Sequence, residues 1–100
     1  ISPQLQKVED YYLANINHEL SKIKYTPESK ELFDGYVLRL DELSKEYDVL
    51  ANELINSGPN EDTVTALIDN LKLRLNLLYR LKEKLNELNK SENDFEMQKT

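Results

Sequence analysis

Phe33, Tyr36, Leu40, Leu43, Tyr47, Leu50 and Leu54 stand at alternating intervals of three and four residues. Three heptads of that pattern line up apolar side chains along one α-helix, which then needs another helix to cover them. The rest of the chain agrees. Eighteen of its 100 residues are Leu and 32% are charged, while Gly and Pro number two and three. A sandwich or barrel needs a turn signal every ~8–12 residues, and this chain does not have them. The sequence therefore predicts an all-α fold, a three-helix antiparallel bundle of coiled-coil-like type.

Two punctuation points divide it. Ser2-Pro3 opens the first helix, the hydroxyl capping free N–H groups and Pro3 taking the first position. Leu5, Val8, Tyr12, Ile16, Leu20 and Ile23 then mark its apolar face, over about 3–24. Thr26-Pro27 repeats the start signal, and the second helix is expected over about 27–57. Gly35 lies inside it at a cost of about 1 kcal/mol relative to Ala. Ser57-Gly58-Pro59-Asn60 ends it, with Gly58 as a left-handed cap and Pro59 unable to continue.

Asn60 caps a third helix, expected over about 61–89 and carrying two apolar faces. The main stripe is Val64, Leu67, Ile68, Leu71, Leu75, Leu78, Leu85 and Leu88. Leu73, Leu77 and Leu81, with Ala66, lie roughly 120° away. Such a helix is either the central element or offers one face to a partner chain. Charge favours a hairpin of the two long helices. Residues 27–57 hold eight acids and three bases, residues 69–90 six bases and three acids. Residues 1–89 thus read as one domain, with a polar tail over 90–100 expected to fray.

Candidate chemistry is sparse. There is no Cys, so no disulfide framework, thiol nucleophile or Cys-ligated zinc. His18 is the only imidazole. His18-Glu19-Leu20-Ser21-Lys22 begins like a zincin motif, but Lys22 stands where the second His is required. Asp41-Glu42 reads as a solvated face and Glu61-Asp62 as a complement to the helix dipole. Asn89-Lys90-Ser91 matches a glycosylation sequon, a motif common by chance. No catalytic, cofactor-binding or metal residues are assigned, and an enzyme is not expected. The net charge of −6 disfavours non-specific binding to nucleic acid or anionic lipid.

What remains is surface. Tyr11 points about 100° away from Tyr12, beside Leu13. Leu38 and Val49 lie opposite the 33–54 seam, eleven residues apart and nearly aligned. Core or rim packing competes with partner contact at each place. The candidate interaction surface is Tyr11, Leu13, Leu38, Val49, Leu73 and Leu77, its partner a protein or a second copy of the chain.

Ile1-Ser2-Pro3-Gln4-Leu5, Val8-Glu9-Asp10-Tyr11-Tyr12 and Ile16-Asn17 carry a further signal, as do Leu40-Asp41-Glu42-Leu43 with Glu46-Tyr47 and Gly58-Pro59-Asn60-Glu61. With Ile68-Asp69-Asn70, Lys72-Leu73 and Leu77-Leu78, they resemble the extracytoplasmic segment of membrane-anchored anti-sigma-factor-like proteins of the Bacteroidetes. Leu71 departs from the family's usual Tyr. The resemblance implies a periplasmic domain, anchored to the inner membrane through a span upstream of this chain. Oligomerisation or reception of an envelope signal would be its role, and the family supplies no catalytic residues to transfer. The start at Ile1 without an initiator Met fits the expectation of a piece of something longer. The competing reading is a structural coiled-coil adaptor with no transcriptional role.

Overall fold

The computed structural model describes residues 2–99, with the side chains of Asn89 and 91–99 left out. Helix α1 covers Pro3–Lys22, α2 Lys30–Ser57 and α3 Glu61–Lys99; a 3-10 turn, Pro27–Ser29, precedes α2. No strand occurs among the described residues.

The starts follow the caps. Ser2 Oγ accepts from the Leu5 N–H at 3.1 Å. Asn60 Oδ1 accepts from the N–H groups of Asp62 and Thr63, at 2.8 and 3.2 Å. The second start differs from expectation. The buried Ser29 hydroxyl accepts from the Thr26 N–H at 2.9 Å, holding residues 27–29 in a tighter turn. The α-helix therefore begins at Lys30 rather than Pro27.

The ends differ too. Gly58 has φ 81° and ψ 179°, a region beyond the expected left-handed cap and open essentially to Gly alone. Helix α3 continues to Lys99, where fraying from Lys90 is expected. No Gly or Pro follows Pro59, so the sequence holds no strong breaker there. The side chains of that tail, apart from Lys90, lie outside the described residues.

Helix α3 is the central element, packing against both α1 and α2. It runs antiparallel to α2 and parallel to α1: Leu5 lies near Val64 at one end, and Ile23 near Leu85 at the other. Leu67, Leu71, Leu78 and Leu81 are fully buried. Leu81, assigned by spacing to the second face, belongs to the innermost line. That line is Val64, Leu67, Leu71, Arg74, Leu78, Leu81 and Leu85, an unbroken heptad seam with one arginine in it.

Helix α1 also packs differently from its expected stripe. Glu19 turns inward, its side chain 13% exposed, while Leu20 faces solvent. The inward line becomes Leu5, Glu9, Tyr12, Ile16, Glu19 and Ile23, again a heptad. Both carboxylates have partners across the bundle. Tyr47 donates to Glu9 Oε2 at 2.5 Å, and Lys82 Nζ lies 3.5 Å from Glu19 Oε2. The second of these is an ion pair without hydrogen-bond alignment.

Candidate interaction surface

The six residues singled out by spacing do not form one patch. Tyr11 is 65% exposed, its ring edge-on to Tyr12 at 5.5 Å. Leu13, its neighbour, packs against the core, because its position turns back toward the inward line of α1. Leu38 and Val49 are 61% and 66% exposed on the outer side of α2. Single exposed apolar residues of that kind are ordinary on a folded surface. Leu73 is 38% exposed at the rim of α3, and Leu77, one turn on, is half-buried.

Leu77 does not face open solvent. It closes a groove whose α2 wall is Glu31, Leu32, Gly35, Tyr36 and Arg39. Leu32 continues into a second groove with Lys84, Glu87 and Leu88. The two make one furrow along the α2–α3 seam. From Leu77 to Leu88 it extends about 16 Å, at 1.5 Å rise per residue. Helix α1 lies on the other flank of α3, where Lys22, Ile23 and Lys24 meet Lys82, Leu85 and Asn86. The furrow is thus the uncovered side of the hairpin.

A second groove lies at the Gly58 turn, between Ser2, Leu5, Leu54, Ile55 and Val64. Ile55 is mostly exposed on its edge. Its spacing sets it off the 33–54 seam, a signal the sequence reading left unused.

The opposite charges of α2 and α3 act differently from simple ion pairing. Among the described residues the ion pairs that α2 makes are local: Lys30–Asp34 at 2.8 Å, Lys45–Asp41 at 3.1 Å and Arg39–Glu42 at 3.3 Å. Across the seam, α3 cations lie over α2 rings instead. Lys84 Nζ is 5.7 Å from the centre of Tyr36, and the Arg74 guanidinium 6.0 Å from that of Tyr47. Both distances are within cation–π range.

Mid-bundle, a part-buried polar layer joins all three helices. Arg74 on α3 lies over Tyr47 on α2, whose hydroxyl donates to Glu9 on α1. Asn70 Nδ2 donates to the Leu43 carbonyl at 2.9 Å, tying α3 to the α2 backbone. Asn70 Oδ1 and Arg74 Nε are buried without partners among the described residues. Burial pushes the Tyr47 hydroxyl well above its ordinary pKa, and the hydrogen bond to Glu9 adds to the rise. Burial also lowers Arg74, though not enough to discharge a guanidinium. The spacing places Tyr47 in the α2 seam, as the structure shows, but its hydroxyl turns across the bundle to Glu9 instead of resting at the edge. Sequence reasoning missed Asn70 and Arg74, although Arg74 falls at the heptad step between Leu71 and Leu78.

His18 is exposed on α1, its carbonyl accepting from Ser21 Oγ at 2.7 Å. No helix of the described residues is long and apolar enough to cross a membrane. Comparison with protein-family models, curated proteins and solved structures gives no match. The resemblance to anti-sigma-like proteins therefore stands on the sequence motifs alone.

Proposed function

We infer that the chain is a non-catalytic protein–protein interaction and oligomerisation domain, the periplasmic portion of a membrane-anchored anti-sigma-like regulator. The observation that supports it best is the uncovered furrow beside α2, on a helix that also exposes Leu38 and Val49. A furrow between two helices, apolar inside and charged at its rim, suits a helix or a matching helical face. The motif resemblance supplies the compartment and the regulatory role.

Binding to such a face regulates by shifting population: the association state in which the furrow is filled gains whatever free energy the contact provides. Alkaline phosphatase fused after Thr100 in the full-length protein tests the compartment. An active fusion in intact bacterial cells is the expected result. An inactive one, with a fluorescent cytoplasmic fusion at the same point, overturns the regulator reading in favour of a structural adaptor.

A further inference from the structure

Gly35 lies in the second turn of α2, past its first hydrogen-bonded residues, where Gly costs about 1 kcal/mol relative to Ala. Nothing in the fold requires it. Its φ is not positive, and a Cβ built there meets no atom within 4 Å. The chain thus carries an unfavourable residue at a point that faces empty space, on the wall of the furrow.

The flanking charges are arranged symmetrically about it. Glu31, Gly35 and Arg39 are one turn apart from one another, so they form a row along the helix. A second α2 laid antiparallel across Gly35 brings each Glu31 to the Arg39 of the second copy. One two-fold axis satisfies both pairs, as a self-complementary interface requires. Arg39 already pairs with Glu42 at 3.3 Å, but both side chains are about half exposed. Exposed pairs of that kind hold weakly and exchange readily. Leu38, three residues beyond Gly35, and Leu77 across the furrow supply apolar surface beside the crossing.

We propose that the furrow is a homodimer interface, two α2 helices crossing antiparallel at Gly35 with Glu31 of each copy facing Arg39 of the other. The proposal rests on the interaction reading and names its partner as a second copy of this chain. A heterologous helix would meet the same furrow, but the inverted order of Glu and Arg about Gly35 matches the row itself.

Charge reversal separates the possibilities. In Glu31→Arg the reversed residue faces Arg39 of its twin, and in Arg39→Glu the reversed residue faces Glu31. Each single variant repels itself, and its dissociation constant should rise about tenfold or more. An equimolar mixture of the two puts opposite charges together at both contacts and should dimerise again. Sedimentation equilibrium of the wild-type chain and of that mixture should give twice 11.7 kDa, and of each variant alone a monomer at the same concentration. Circular dichroism establishes that both variants are folded. Gly35→Leu, which fills the approach from a position where a Cβ meets no atom of its own chain within 4 Å, should also be a helical monomer.

A wild-type monomer at millimolar concentration overturns the proposal. So does a dimer indifferent to Gly35→Leu and to both reversals, or a mixture that stays monomeric. None of these results touches the compartment assay, so the interface and the broader regulator reading fail separately.

Discussion

Tyr47 shows how much one side chain does here. Its ring fills a heptad position of α2, Arg74 lies over it, and its hydroxyl reaches Glu9 across the bundle. Tyr47→Phe keeps the packing but leaves a partly buried carboxylate without its donor. Hydrogen bonds to charged acceptors contribute about 1.5–3 kcal/mol, so a loss of about 1–2 kcal/mol is expected at this part-buried contact. The pH dependence has a definite sign. The folded-state pKa of Tyr47 is raised above the unfolded value near 10. Its stabilisation is therefore complete below about pH 10 and is lost as pH rises beyond it. Denaturant midpoints of wild type and Tyr47→Phe should differ constantly from pH 6 to 9 and converge above 10. A gap that widens in alkali contradicts this role. Asn70 and Arg74 act in the same layer with the opposite effect, because each leaves a polar atom unpartnered among the described residues.

Among the elements, legibility in the sequence followed the strength of the local signal. Ser2, Asn60 and Gly58 mark boundaries through backbone chemistry that acts within three residues, and all three are where their types suggest. The seam of α2 was equally plain, since seven apolar residues at heptad spacing leave one inward face. The α1 stripe was misread at Glu19 because a carboxylate normally argues for solvent, and its partner Lys82 lies 63 positions away. Arg74 was missed for the same reason. Distant pairing is invisible to local periodicity. The furrow was legible only as an excess of apolar faces, since which side α1 covers depends on tertiary packing. The two glycines give a test at this scale. Gly58→Ala forces a Cβ into a positive-φ region and should cost about 1–3 kcal/mol. Gly35→Ala should raise the stability of the dilute chain by about 1 kcal/mol. Thermal melts should move in opposite directions, by roughly 4–8 °C per kcal/mol for a domain of this size. Destabilisation by Gly35→Ala would mean that the fold itself needs that glycine.

The whole molecule is a rod, 64 × 21 × 18 Å with a radius of gyration of 17.5 Å. A compact chain of 100 residues has about 13 Å. Three aligned helices explain the excess, with α3 alone about 58 Å long at 1.5 Å per residue. In such a rod the central helix is shielded by its two neighbours, and the hairpin keeps one long side open. That geometry offers length for lateral association. It also makes the location of any association easy to read, since α1 and the furrow occupy different flanks.

The most direct test is a concentration series of amide nuclear magnetic resonance spectra, from about ten micromolar to one millimolar. Self-association along the furrow should move the signals of residues 31–39 and 77–84 together, with a single midpoint, and leave those of 5–16 in α1 in place. Spectra that do not change with concentration, or changes confined to α1 and the Gly58 end, would contradict it.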